Sequence, residues 1–173
     1  LFLKKGPMDQ RAVGERGDVL KFATPILQSG VEVTVRLAVE LWADSDARDT
    51  KFTAKLVDVY PDGTERLVLD SVLRARFREG FDREVFMKKG QVYRFKIDLW
   101  STSIIFNKGH RIAIHISSSN SPRFDPNPNT GNPLRADALK QVATNSIHHC
   151  RTHPSRALLP VVRSNNGSLT SMS

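Results

Sequence analysis

The sequence predicts an all-β fold, a jelly-roll β-sandwich of two antiparallel sheets with at most one or two short helices. Apolar and polar residues alternate in three segments, Val31 to Leu41, Tyr93 to Leu99 and Ile112 to Ile116. This period of two is typical of strands with one buried face. Glycine-containing turns separate the segments. The polar stretch from Ser117 to Asn132 is too long for a hairpin, which favours a crossover between two sheets.

The remaining strands are predicted from shorter apolar segments. Asp18 to Phe22 is short, and Phe52 to Tyr60 is partly apolar on both faces, as in a more buried strand. Further strands are predicted at Leu67 to Leu69, Val72 to Phe77 and Leu158 to Val162. The turns Pro61-Asp62-Gly63, Lys88-Lys89-Gly90 and Asn107-Lys108-Gly109 place glycine where a positive φ is cheap. The one predicted helix is short, around Arg135 to Val142.

The length of 173 residues fits one domain with a sizeable core. We expect residues 1–17 to form an entering linker, residues 18–163 the sandwich and residues 164–173 a polar, flexible tail. The start lacks the long apolar core of a signal peptide, and its first residue is Leu1, so we expect a chain entered midway. No apolar run is long enough for a membrane span, and no membrane partner is predicted.

The charge pattern favours solvated strand faces. The net charge is +8 with a pI near 10, which raises the possibility of nucleic acid binding. The basic residues are scattered, however, and Arg74, Arg76, Arg78 and Arg83 are interleaved with acidic residues. We therefore predict no nucleic-acid partner. A single cysteine, Cys150, excludes an internal disulfide and favours a reducing, cytoplasmic location.

Two polar clusters raise the possibility of a metal site. Asp125, Asn127 and Asn129 offer oxygen ligands to calcium, but they alternate with prolines, and such side chains commonly hold turns. We expect Arg123 to pair with a carboxylate inside the domain. The run His148 to Cys150 with His153 could form a zinc site or a Cys-His nucleophile, but no second ligand pair or oxyanion hole supports either. We predict no metal and no cofactor.

Ordered motifs along the chain resemble one family. The motifs lie at Gly6 to Arg11, Arg16 to Leu20, Asp49 to Leu56, Asp58 to Gly63, Leu73 to Glu79, Gly109 to Ile112, Ser117 to Gly131 and His153 to Ser155. In this order they resemble the C-terminal β domain of the X-Pro dipeptidyl-peptidase/cocaine esterase family of serine hydrolases. The resemblance covers about residues 5 to 162.

The resemblance implies a galactose-binding-like jelly roll that packs against an α/β-hydrolase domain carrying the Ser-His-Asp triad. No G-x-S-x-G nucleophile elbow occurs in this chain, so we expect no catalytic residue within it. A small acyl or peptide substrate would be bound and cleaved by the parent enzyme, which is the longer protein that would contain this chain. An apolar patch normally covered by the hydrolase domain would let the isolated chain self-associate as a homo-oligomer.

Two loops are the candidate pocket walls or interface. The Asp46 to Phe52 loop and the Ser117 to Gly131 loop end predicted strands, where contacts on a rigid sandwich normally arise. The candidate residues are Asp49, Thr50, Lys51, Phe52, Asn120, Arg123, Phe124, Asp125 and Asn129. The alternative is a free-standing carbohydrate-binding module, in which aromatic residues such as Trp42 and Trp100 would stack on sugars.

Overall fold

Two antiparallel sheets form the protein in a computed structural model that describes residues 8–134, 136 and 139–162. In the described residues the strands are β1 (Val19–Ala23), β2 (Val31–Ser45), β3 (Lys51–Val59), β4 (Glu65–Arg74), β5 (Tyr93–Phe106), β6 (Arg111–Ser117), β7 (Asn145–His148) and β8 (Arg156–Leu158). Sheet A has the order β1-β6-β3-β4, and sheet B has the order β5-β2-β7, with β8 also pairing with β2. The jelly-roll sandwich predicted from the alternation is confirmed.

The core lies between the sheets because alternate residues of the long strands point inward. Phe52 of β3 and Phe95 of β5 are both fully buried, and their ring centroids lie 4.8 Å apart across the sandwich. The register of β2 against β5 shifts at Leu37 and Ala38, which pair with Trp100 and Asp98, so β5 contains one extra residue, a bulge. The bulge lets β5 keep apolar residues inward on both sides, because the odd-numbered Leu99 before it and the even-numbered Phe106 after it are both buried.

Local structure differs from the sequence-based prediction in three places. The helix predicted around Arg135 to Val142 is wrong, since the described residues there are not helical. Helix α1 is instead Arg11–Gly14, and a 3₁₀ helix follows β4 at Ala75–Phe77. The segments predicted as two strands, Leu67 to Leu69 and Val72 to Phe77, form the single strand β4, which ends at Arg74.

Strand β7 was not predicted, because a four-residue strand offers too little alternation to detect. The last predicted strand, Leu158 to Val162, is displaced, since β8 spans Arg156–Leu158. The predicted turn glycines are confirmed, since Gly63 and Gly109 have φ of 82° and 87°. The tail at residues 164–173 and the start of the predicted linker lie outside the described residues.

The outer face of sheet A is polar yet buried, because the N-terminal segment covers it. The amide of Gln10 donates to the carbonyl of Glu65 at 2.7 Å, and the Leu67 amide donates to the Met8 carbonyl at 3.0 Å. The side chain of Gln10 in turn accepts a 2.8 Å hydrogen bond from Lys55 Nζ. Burial lowers the pKa of Lys55. The segment before β1 therefore packs on strands β3 and β4.

His115 of β6 lies in this polar layer and is only 2% exposed. Neither ring nitrogen has a hydrogen-bond partner, although Nε2 lies 3.5 Å from a carboxylate oxygen of Glu65. Desolvation lowers the pKa of His115 from 6.5 to about 4, Glu65 opposes the shift, and Lys21 and Lys55 add to it. The imidazole is therefore neutral in the folded protein at pH values where an unfolded chain would protonate it.

We expect His115 to make the folded state lose stability as the pH falls. Between about pH 6.5 and 4 the unfolded state binds a proton at this side chain and the folded state does not, so the free energy of unfolding decreases with decreasing pH. Urea unfolding at pH 7.5, 5.5 and 4.5 measures this slope. His115→Gln should flatten it, whereas the exposed His149→Asn control should retain it. Parallel curves for the wild type and His115→Gln would contradict the prediction.

Candidate interface site formed by two loops

The two candidate loops meet at one end of the sandwich because of the strand pairing. Thr53, near the start of β3, pairs with Ser117, the last residue of β6, and Lys51 pairs with Arg74, the last residue of β4. In sheet B, Ser45 at the end of β2 pairs with Asn145 at the start of β7. The β2–β3 connection, the loop after β6 and the 3₁₀ helix after β4 therefore all emerge at this end.

Asp49 is a fully buried carboxylate that joins these segments. Its Oδ2 accepts hydrogen bonds from Arg74 Nε and Arg76 Nε, each at 2.9 Å, and from the side-chain amide of Asn127 at 3.3 Å. Its Oδ1 accepts the backbone amide of Arg76 at 3.1 Å. One side chain thus connects the β2–β3 connection to the end of β4, to the 3₁₀ helix and to the loop after β6.

Arg76 is the buried partner that Asp49 requires, and it is itself 0% exposed. Its Nη1 donates to a Glu84 carboxylate oxygen at 3.0 Å, and its Nη2 donates to the carbonyl of Asn132 at 2.9 Å. Its guanidinium also stacks 5.0 Å from the ring centroid of Phe86. A planar fork with several donors suits such a position better than a lysine ammonium. The network therefore reaches the long β4–β5 loop as well.

The other candidate residues of the first loop are buried, and their contacts hold neighbouring segments of the domain in place. Lys51 Nζ donates to the Asp125 carbonyl at 2.5 Å, and burial lowers the pKa of Lys51. The Thr50 hydroxyl accepts a hydrogen bond from the Asn145 side chain at 3.2 Å, and the Thr50 carbonyl accepts the Ala75 amide at 2.8 Å. Phe52 belongs to the core. These residues hold the site rather than line its outer surface.

The candidates in the second loop attach to β4 and remain more exposed. Asn120 donates to Asp70 Oδ2 at 2.8 Å, and Arg123 Nε lies 3.0 Å from Asp70 Oδ1. The expectation that Arg123 pairs with a carboxylate inside the domain is confirmed. Its guanidinium also lies 5.7 Å from the ring centroid of the neighbouring Phe124. Arg123 and Asp125 are exposed, and Phe124 is partly exposed.

The asparagines of the second loop hold turns. Asn127 Oδ1 accepts the backbone amide of Asn129 at 3.0 Å and an Arg74 guanidinium donor at 2.8 Å. The Asn129 side chain donates to the Gln141 carbonyl at 2.8 Å. The bond between Asn127 and Asn129 is the local turn-holding bond expected of asparagine in loops, whereas the bonds to Arg74 and Gln141 fasten the loop to other segments. Among the residues that the structure describes, no three His, Cys, Asp or Glu side chains are placed to hold a metal ion.

His148, Cys150 and His153 lie on the outer face of sheet B, away from the two loops, whereas the ring of His149 lies 6.0 Å from that of Phe22 of β1. His148 Nε2 lies 2.6 Å from an Asp44 carboxylate oxygen, and His153 packs edge-on against Trp42 at 5.1 Å. Hydrogen bonds from Thr152 and His153 lower the pKa of the exposed Cys150 thiol to about 6. The cluster is held by hydrogen bonds and ring contacts within the domain.

Sequence reasoning missed Arg76, Arg74 and Asp70 as members of the site. The spacing of the arginines gave no signal for this role, because alternating arginines are typical of a solvated face and a fully buried arginine cannot be distinguished from an exposed one by spacing alone. The loop serines are not activated as nucleophiles. The Ser117 hydroxyl bonds Thr53 at 2.7 Å and Ser118 accepts from Asn145 at 2.7 Å, and neither partner is a base.

The fold and the site define a β-sandwich domain whose loops are fastened at one end and whose described residues show no assembled catalytic group. A family model described as the X-Pro dipeptidyl-peptidase C-terminal non-catalytic domain matches residues 7–157. The chain belongs to this family. The match supports the hydrolase-domain prediction rather than the carbohydrate-binding alternative, while the finer galactose-binding-like assignment stays a prediction.

Individual relatives are consistent with this assignment. The cocaine esterase of Rhodococcus sp. (strain MB1 Bresler) is 42% identical over 160 residues, which is 91% of this chain and 28% of that protein. A putative serine esterase of Mycobacterium bovis is 28% identical over 162 residues, which is 84% of this chain and 24% of that protein. The chain thus spans about a quarter of the length of these relatives.

Solved structures of larger enzymes contain the same fold. An aminopeptidase from a marine sediment Thaumarchaeota archaeon matches with a TM-score of 0.86 and 27% identity, covering 91% of this chain and 28% of that one. An α-amino acid ester hydrolase matches with a TM-score of 0.85 and 31% identity, covering 90% and 27%. In the described part of this chain, no helix is long and apolar enough to cross a membrane.

We expect Asp49→Asn to destabilise the protein strongly. The amide cannot balance the buried guanidinium of Arg76, whose other carboxylate partner, Glu84, is exposed, and removing one partner of a buried ion pair costs roughly 3–5 kcal/mol. Asp98→Asn is the matched control, because Asp98 pairs with an exposed arginine, Arg36. Urea unfolding at pH 7.5 should show a large loss for Asp49→Asn and an unchanged midpoint for Asp98→Asn. Equal midpoints for both variants would refute the role given to Asp49.

Proposed function

We propose that this chain is the non-catalytic C-terminal domain of a larger serine hydrolase that cleaves a small ester or amide. The observation that carries the proposal is the family match over residues 7–157 together with the 42% identity to a cocaine esterase. The chain corresponds to 28% of that relative, so a separate catalytic part is expected in the parent protein. The α/β-hydrolase domain is the partner, and the substrate reaches this domain only through the parent enzyme.

The reaction would be acyl transfer through a serine, a histidine and an aspartate outside this chain. The serine attacks the carbonyl, the histidine takes its proton and returns it to the leaving group, and the aspartate orients the histidine. The domain would contribute part of the wall of the substrate pocket and no reacting group. A substrate pocket that is partly walled by a second domain excludes water and fixes orientation only if that wall is rigid.

The two loops at the end of the sandwich are the proposed wall. Asp49, Thr50, Lys51 and Phe52 are buried and support it, while Asn120 and Asn129 fix the second loop by hydrogen bonds. The outward members are Arg123, Phe124 and Asp125. A cation, an aromatic ring and a carboxylate side by side suit contact with an acyl or peptide group that is partly apolar and partly polar.

Because the catalytic serine is proposed to lie outside this chain, the proposal predicts which protein a serine-directed probe labels. A fluorophosphonate should label the full-length parent and leave this chain unlabelled, and the isolated chain should not turn over p-nitrophenyl esters or X-Pro amides. Mass spectrometry of the intact proteins measures the label, and the absorbance of released p-nitrophenolate measures ester turnover. Turnover by the isolated chain that the probe abolishes would overturn the proposal.

The wall predicts a kinetic effect of the exposed loop residues in the parent enzyme. Arg123→Ala and Phe124→Ala should each lower kcat/KM by about tenfold, corresponding to about 1.4 kcal/mol of lost binding in the transition state. Ile105→Ala, an exposed apolar residue on β5, is the matched control and should leave kcat/KM unchanged. Thermal unfolding of each variant monitors the fold. Wild-type values of kcat/KM in both loop variants would show that the loops do not line the substrate pocket.

A further inference from the structure

The sandwich is closed along one side and open along the other. Strand β4 of sheet A approaches β5 of sheet B along the closed side. Along the open side, β1 and β6 of sheet A face β2, β7 and β8 of sheet B across an apolar groove of about 270 Å³. We define the open edge by its lining residues Phe22, Ile114 and Ile116 from sheet A, and Leu41, Ile147 and Ala157 from sheet B.

Residues that point into the sandwich are exposed at the open edge. Leu20 and Phe22 pair with Ile116 and Ile114 in the antiparallel register, so their side chains point toward the core. Nevertheless they are 45% and 42% exposed. Val161 forms a bridge with the buried core residue Val33 and is 53% exposed. Inward-facing apolar side chains that stay half in water mark a surface that another element covers.

We propose that the open edge is the docking surface for an apolar segment of the hydrolase part of the parent chain. The inference rests on the proposed function, because it identifies the face through which the domain meets its catalytic partner. More than two thirds of the length of each relative lies outside the region that this chain matches, so the parent has ample chain to cover the edge.

Shape favours this occupant over a second copy of the chain. In a two-fold dimer the same patch lies on both sides of the interface, so a groove would face a groove and the cavity would remain unfilled. A protruding apolar side chain from a different surface fills it. The volume of about 270 Å³ also lies below that of most small-ligand pockets, roughly 300–1,000 Å³, which favours a side chain over a free ligand.

Site-specific thiol labelling tests the docking surface. In a Cys150→Ser background, Phe22→Cys places a thiol at the open edge, and Ile105→Cys places one at an exposed apolar position on β5. The rate of reaction with N-ethylmaleimide is measured by peptide mass spectrometry, both in this chain and in the full-length parent. Phe22→Cys should react at least about tenfold more slowly in the parent, because the site is covered, and Ile105→Cys should react equally in both.

Other outcomes contradict the inference. Equal rates for Phe22→Cys in both proteins, or slowing at Ile105→Cys alone, would place the interface elsewhere. Slow labelling already in the isolated chain would assign the groove to a second copy if it depends on concentration, and to the chain's own termini if it does not. Val161→Cys repeats the test at the same edge if Phe22→Cys fails to fold.

Fluorophosphonate labelling of the same parent samples separates this inference from the proposed function. A labelled parent whose Phe22→Cys thiol reacts freely overturns only the docking surface. A protected Phe22→Cys in a parent that takes no fluorophosphonate overturns only the serine hydrolase assignment.

Discussion

The buried carboxylate of Asp49 is the constraint on which the loop end of the sandwich depends. It accepts four hydrogen bonds, from both Arg74 and Arg76 and from Asn127, and it has no exposure to water. The donors lie at the end of β4, in the 3₁₀ helix and in the loop after β6. Because a buried charge is tolerated only with partners in place, the three segments can adopt their positions only together. Correct placement of one loop therefore requires correct placement of the others.

The loop end and the open edge of the sandwich differ in how completely their side chains are paired or packed. At the loop end, ionic and backbone hydrogen bonds connect elements that are far apart in sequence, as in the contact of Lys51 with the Asp125 carbonyl. This gives long loops the rigidity of the sheets beneath them. At the open edge, by contrast, the apolar side chains of Leu20 and Phe22 remain exposed to water. A domain that is rigid where it would contact substrate and incomplete where it would contact a partner suits a scaffolding role.

The sequence predicted the sheets well, because burial on one face imposes a period of two that is visible in Val31 to Leu41. It did not predict β7, whose four residues are specified by pairing with β2 rather than by their own pattern. The helix predicted around Arg135 to Val142 failed because local helix propensity is weak beside tertiary contacts, such as the Gln141 amide bonding the Pro128 carbonyl.

Only part of the site could be predicted from the sequence, because contacts between distant segments leave no local pattern. The motif containing Asp49 was recognised, but its partners Arg74 and Arg76 lie about 25 residues away and alternate with other basic residues. Spacing gives the face on which a strand residue lies, but it does not reveal whether a later loop will cover that face. Thr53 and Lys55 show the same limitation, since they occupy the outer face of sheet A and are nevertheless buried beneath other segments.

The excess of basic residues follows in part from how the buried acids are held. Asp49 is shared by Arg74 and Arg76, and Glu40 is shared by Arg94 and Arg156. A carboxylate has two oxygens and about four lone-pair sites, so one buried acid is fully satisfied only by several donors. Pairing two cations with each such acid raises the net charge of the domain. The positive charge of this domain is to that extent a product of its internal cross-links, and the composition alone is a poor guide to its partner.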